Sequence, residues 1–222
     1  MKSLLGAARV VGPLCCLLLL AGCNVFGYLA QGLPSDNVPA SYKRLAGQSV
    51  VVYVWADRGV RIDWPDIQLN IASGVQAKLI EAQATGIDEL KGSTFPLTAA
   101  SVARFQEDHP EFEAEPIADF APLLHASRVI YVEISSFQTR SNDSVDLYRG
   151  SISAIVKVLE IKGGQVTTGY EDRDVKAIFP PKTPDEGVSD QTDEAVYEGS
   201  VKEFTTQVAI HFIPHSDEDS ND

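Results

Sequence analysis

The chain has 222 residues, with 18 Lys and Arg against 31 Asp and Glu, a formal net charge of −13. Such acidity speaks against nucleic acid and anionic lipid headgroups as direct partners, because both require a basic surface. It favours a neutral or basic partner, and the length suits one domain burying about 70% of its unfolded surface.

Lys2 and Arg9 give a weakly positive start, followed by an apolar run from Val10 to Leu20 that is interrupted by Gly12 and Pro13. A spanning helix needs roughly 20 apolar residues. This run is too short, and its length matches the core of a secretory signal; an uncleaved core helix and an ordinary signal peptide are the alternatives. Leu20-Ala21-Gly22-Cys23 closes the run and resembles the lipobox of bacterial lipoproteins. The resemblance implies that residues 1–22 are a signal peptide, and that Cys23 carries a diacylglyceryl group, with palmitate-type chains, and becomes the new N-terminus. Two or more acyl chains hold a soluble body stably at a bilayer. The expected partner at this end is therefore the membrane, through the lipid on Cys23, with the body facing the periplasm. Asn24 rather than Asp follows the Cys, which in the family pattern weakly favours the outer membrane over the inner one.

Loss of residues 1–22 removes Lys2, Arg9, Cys15 and Cys16, leaving 16 cationic against 31 anionic residues, a net charge of −15, and Cys23 as the only thiol. With no disulfide available, the body depends on its core. Gly27, Gly32, Pro34, Ser35, Asp36 and Pro39 mark residues 23–40 as a tether. Residues 41–214 are expected to form a single α/β domain, and 215–222 a disordered acidic tail.

Val50-Val51-Val52-Tyr53-Val54-Trp55 is an uninterrupted β-branched and aromatic run, which predicts a strand covered on both faces. A turn is expected at Asp57-Arg58-Gly59. Asp63 and Asp66, on either side of Trp64-Pro65, then predict a helix start. Ile67, Ile71, Val75 and Leu79 make that helix amphipathic through about Ala84. Shorter helices are expected over Thr98–Asp108, ended by His109-Pro110, and over Pro116–Ala126. Between them Glu111, Glu113 and Glu115 alternate with Phe112 and Ala114, a solvated connector. Arg128–Gln138 predicts a strand with Ile130, Val132 and Ile134 on one face and Val129, Tyr131 and Phe137 on the other. Val145–Ile161 and Gln165–Phe179 follow as strands joined by a hairpin turn at Gly163-Gly164. An exposed acidic loop runs from Pro180 to Asp190. The last helix, Thr192–Phe212, presents Val201, Phe204, Val208 and Phe212 on one face.

This order predicts an α/β (α+β) fold: a mixed sheet with a parallel first crossover and an antiparallel hairpin, covered on one face by two long helices. The lipobox, the opening from Val50 to Leu79, and Arg128–Ile134 before a long hairpin together resemble envelope lipoproteins of uncharacterised type. More distantly, the element order is similar to the N-terminal domain of the translocation protein TolB and to curli-secretion and penicillin-binding-protein-activator lipoproteins. That resemblance implies a fold and an adaptor-like role, and it transfers no catalytic residue.

Chemistry-bearing residues are sparse. His211 and His215 have a His-x-x-x-His spacing that suits zinc, but Pro214 breaks the helix face, so they are expected to be surface histidines at a helix end. His109 sits among acids and His125 within an apolar helix, neither beside a nucleophile. Asp57, Asp63 and Asp66 follow the first strand, where α/β proteins place ligands, although capping accounts for all three. Ser135, Ser136, Thr139, Ser141, Asn142 and Ser144 surround Arg140 as a connection between strands, with a sugar- or peptide-binding surface as the alternative. No phosphate loop, nucleophile elbow or zinc-protease motif occurs. The expectation is no catalytic, cofactor or metal site, and no enzyme. The leading reading is an accessory or adaptor lipoprotein in envelope assembly or maintenance that binds an envelope protein through a strand edge or the Pro180–Thr192 loop. The alternative is a solute- or peptidoglycan-binding lipoprotein with a cleft beside Asp57–Asp66 and Tyr131.

Overall fold

A computed structural model of the chain describes residues 37–141 and 146–216. The chain divides into two compact units, Met1–Asn37 and Val38–Asp222, and the central sheet with its helices belongs to the second. The signal segment, Cys23, most of the tether, Asn142, Ser144 and residues 217–222 lie outside the described residues.

The Val-rich run forms β1 (Val50–Ala56), and it is followed by helices α1 (Arg58–Asp63), α2 (Ile67–Ala84), α3 (Ala99–Asp108) and α4 (Ile117–Phe120). Strands β2 (Arg128–Arg140), β3 (Tyr148–Lys162) and β4 (Gln165–Phe179) come next, and α5 (Asp193–Ala209) closes the series. The sheet order is β1-β2-β3-β4. β1 runs parallel to β2, from Val50 opposite Arg128 to Ala56 opposite Ile134. The other pairs are antiparallel. The parallel crossover, the meander and the two long helices on one face are all as the sequence pattern predicts.

β1 is apolar throughout because both of its faces are covered. Val50, Val52, Val54 and Ala56 join Ile130, Val132 and Ile134 beneath α2 and α5. Val51, Tyr53, Val129 and Tyr131 pack under Val102, Phe120 and Leu124 on the other side. On α2 the predicted stripe Ile67, Ile71, Val75 and Leu79 is 0% exposed. On α5, Phe204 and Val208, with Phe212 just beyond, are likewise fully buried, whereas Val201 is only partly so. Gly163 and Gly164 both take positive φ (59° and 81°) in the hairpin turn, a backbone that side chains with a Cβ rarely adopt.

Several expectations change. Phe137 lies on the first face, against Trp64 and Tyr197, because a bulge between Ile134 and Ser136 reverses the alternation. The turn at Asp57–Gly59 is instead the start of α1, and the Asp57 carboxylate accepts from Gly59 N–H at 2.8 Å. Asp63 therefore ends one helix rather than starting the next, and Asp66 occupies the N-cap position of α2 without a side-chain bond. The third helix stops early: α4 passes into a 3₁₀ segment over Ala121–Leu124, and His125 ends it in the left-handed region (φ 51°). Ser135–Arg140 is strand rather than connection. His215 and Ser216, expected in the tail, form a two-residue strand, and Ala40, expected in the tether, is 3% exposed.

Glutamines on α2 bind the sheet edge and its covering loop. Gln76 Nε2 donates to Leu97 O at 3.0 Å, and its Oε1 accepts from Ala99 N–H at 3.1 Å. Gln83 Nε2 donates to Leu90 O and Ser93 O. Val50 N–H donates to Thr94 O at 2.7 Å. The outer edge of β1 is thus capped, which removes a template for strand addition.

Candidate functional site

The carboxyl end of β1 brings Tyr53 and Trp55 to the face covered by α3, where α1 and the 3₁₀ segment Pro110–Ala114 meet. Two adjoining cavities open there. One, about 190 Å³, is lined by Tyr53, Trp55, Arg61, Gln68, Gln106 and Glu113, with Asp66, Glu107 and His109 at its margin. The second, about 320 Å³, shares Tyr53, Trp55 and Glu113 and continues along Phe112, Tyr131 and Glu133. A ligand crevice at the carboxyl ends of parallel strands is where open α/β sheets generally place one.

The floor of this groove is held from both faces of the sheet. Gln68 Nε2 on α2 and Gln106 Nε2 on α3 both donate to Val54 O, at 2.8 and 2.9 Å. Across the groove the Arg61 guanidinium pairs with the Glu113 carboxylate at 2.5 and 3.0 Å. Each group biases the other's ionisation: Arg61 holds the Glu113 carboxyl below its usual range, and Glu113 raises Arg61. His109 stacks on Phe112 with centroids 5.2 Å apart and meets Glu111 through Nδ1 at 3.0 Å. Phe112 in turn stacks on Phe120 at 4.6 Å. Burial pushes the hydroxyls of Tyr53 and Tyr131 up, so both stay protonated.

Of the residues singled out in the sequence, Asp66, His109 and Tyr131 reach this groove, whereas Asp57 caps α1 and Asp63 ends it. Glu113, expected in a solvated connector, is instead the partner of Arg61. The alternation of acids with Phe112 was the available signal: one side of that segment packs on the core while the other meets α1. Arg61, Gln68 and Gln106 carried no local mark, since Gln68 and Gln106 meet at Val54 from two separate helices and Arg61 meets Glu113 from a third element.

The histidines do not assemble. His211 is not a surface group: its side chain is 13% exposed, its Nδ1 lies 2.9 Å from Tyr170 Oη, and Asp172 is 3.9 Å from Nε2. Burial pushes its pKa down against the pull of Asp172. His215 Nδ1 instead lies 3.2 Å from Ile213 O. Among the described residues no three His, Cys, Asp or Glu side chains converge as metal ligands. Thr139 and Arg140 bind Asp193 at the start of α5, with Arg140 Nη2 2.5 Å and Thr139 Oγ1 2.7 Å from its carboxylate oxygens. Ser141 Oγ donates to Asp185 O at 3.0 Å. That part of the polar patch thus contacts α5 and the acidic loop.

No protein-family model matches the chain, and a comparison with curated proteins finds no match. Among solved structures the chain is similar to lipoprotein GNA1162 from Neisseria meningitidis, at 14% identity over 59% of this chain and 80% of that one, with a TM-score of 0.37. It is similar also to the PelC dodecamer from Paraburkholderia phytofirmans, at 11% identity over 77% of this chain and 92% of that one, with a TM-score of 0.38. The hypothetical protein CT253 from Chlamydia trachomatis matches at 19% identity over 74% of this chain and 98% of that one, with a TM-score of 0.41.

No described helix is long and apolar enough to cross a membrane.

Proposed function

We propose that this protein is a lipid-anchored lipoprotein of the cell envelope, held through Cys23 with its body facing the periplasm, and that it acts as an accessory protein by recognising an envelope partner rather than by catalysis. Support for the anchor is the tetrapeptide Leu20-Ala21-Gly22-Cys23 behind a short apolar run. The observation that carries recognition is the groove between β1, α1 and α3, with aromatic walls and polar groups already positioned by Val54 and Glu113. The expected membrane is the outer one, on account of Asn24.

Intact-mass analysis of the native protein tests the anchor: the expected product begins at acylated Cys23, and an unmodified thiol or another start site overturns it. Photo-crosslinking in cells from position 107, at the groove margin, tests recognition. Reproducible capture of one envelope protein is expected, and its absence when the same probe is placed on the exposed turn at Gly164 is the control. The second reading, a solute- or peptidoglycan-binding module, is favoured by the same aromatic walls. It is distinguished by saturable binding of a muropeptide in place of a protein crosslink.

A further inference from the structure

The polar lining of the groove is mostly of one kind. Both glutamine amide nitrogens face Val54 O, and Gln106 also meets the Tyr53 hydroxyl, while the Gln68 amide oxygen has no described donor. Asp66, Glu107, Glu115 and Glu133 line the two cavities, and none of these four makes an ion pair with a described cation. Arg61 is the one Lys or Arg among the described lining residues. Both of its terminal nitrogens are engaged by Glu113, and its Nε is buried, without a hydrogen-bond partner and out of reach of a ligand in the groove. The walls are the rings of Tyr53, Trp55, Phe112 and Tyr131.

Four carboxylates without a cationic partner, beside a single guanidinium that Glu113 already neutralises, match a ligand head that is positively charged. Ammonium and guanidinium groups donate and never accept, and aromatic faces attract them, Trp most strongly. A neutral sugar leaves the charge of the four carboxylates unbalanced, and a carboxylate or phosphate adds to it. The formal net charge of −13 favours the same choice over longer range. We infer that the groove binds the cationic head of an arginine or lysine side chain on the partner protein, seated against Trp55 and between the carboxylates of Asp66 and Glu107. This inference rests on the reading of the groove as a recognition surface.

The full-length protein in detergent has two tryptophans, Trp55 and Trp64, so a Trp64→Phe variant leaves Trp55 as the sole indole reporter. The probe is an end-blocked tripeptide with a central arginine, and its comparator has citrulline, which is isosteric and uncharged, at that position. The arginine peptide is expected to shift the Trp55 signal saturably and to bind about tenfold more tightly than the citrulline peptide, the scale of one charge-assisted hydrogen bond. That advantage should shrink as ionic strength rises. Asp66→Asn with Glu107→Gln is expected to erase it, whereas Glu81→Gln on the exposed side of α2 leaves it unchanged. Equal binding of the two peptides, no saturable shift, or a shift produced only by a muropeptide overturns the inference. The peptide comparison uses unaltered groove residues, so it decides even if the double variant fails to fold. A crosslink from position 107 without arginine binding overturns the cation alone and leaves the recognition reading standing.

Discussion

The side-chain amide of Gln68 lies 2.8 Å from the carbonyl oxygen of Val54 and so ties α2 to the outer edge of β1. Gln106 reaches the same oxygen from the opposite face of the sheet.

Because one acceptor serves two donors, the two contacts are expected to substitute for each other. Gln68→Met or Gln106→Met alone should cost well under about 1 kcal/mol, while the double variant leaves a buried carbonyl unpaired and should cost about 1–3 kcal/mol. Urea unfolding of the singles and the double measures this, and strict additivity contradicts the shared-acceptor account.

Gly74 of α2 faces α5, and a Cβ built there falls 2.5 Å from Thr205 Cγ2, on a residue only 3% exposed. Alanine in a helix interior ordinarily gains up to about 1 kcal/mol over glycine. Here overpacking at a buried helix crossing should outweigh that, and Gly74→Ala is expected to lose about 1–3 kcal/mol. Adding Thr205→Ser removes the obstructing methyl and should restore most of the loss. Thermal unfolding of the single and double variants provides the comparison.

His211 predicts a pH dependence. Burial lowers its pKa in the folded state, so the unfolded chain binds the proton more readily and stability rises with pH across this titration. The contribution is complete above the ordinary imidazole value of about 6.5 and is lost as pH falls from there through the folded-state pKa. His211→Gln should flatten the slope of stability against pH below about 6.5, as measured by denaturant midpoints at a series of pH values. An unchanged slope would locate the dependence elsewhere.

The Arg61–Glu113 pair is half open to water on the carboxylate side, 49% exposed. Screening limits such pairs to about 0–1 kcal/mol, so Glu113→Gln should barely change the unfolding midpoint. It should free Arg61 in the groove and so weaken any cationic probe. A stability loss beyond about 2 kcal/mol would mark the pair as structural instead.

The fold was legible because its signals are local and periodic. Ile67 to Leu79 repeats at helical spacing, β1 has no polar interruption, and Gly163-Gly164 allows little besides a tight turn. The misreadings come from geometry that no short window contains. The bulge after Ile134 turned Phe137 to the other face, and Asp57 rather than Asp63 opened a helix. His211 was buried by Tyr170 and Asp172, which lie on a strand distant from it in sequence. The groove was legible only as a cleft beside Asp57–Asp66 and Tyr131. Arg61, Gln68, Gln106 and Glu113 belong to four segments, and what unites them is Val54 and a salt bridge, neither visible before folding.

The two borders of the sheet are unlike. Thr94, Gln68 and Gln106 close β1, whereas among the described residues no further strand lies beside β4. Strand addition at the β1 border is therefore blocked, because Val50 N–H and Val54 O already have their partners.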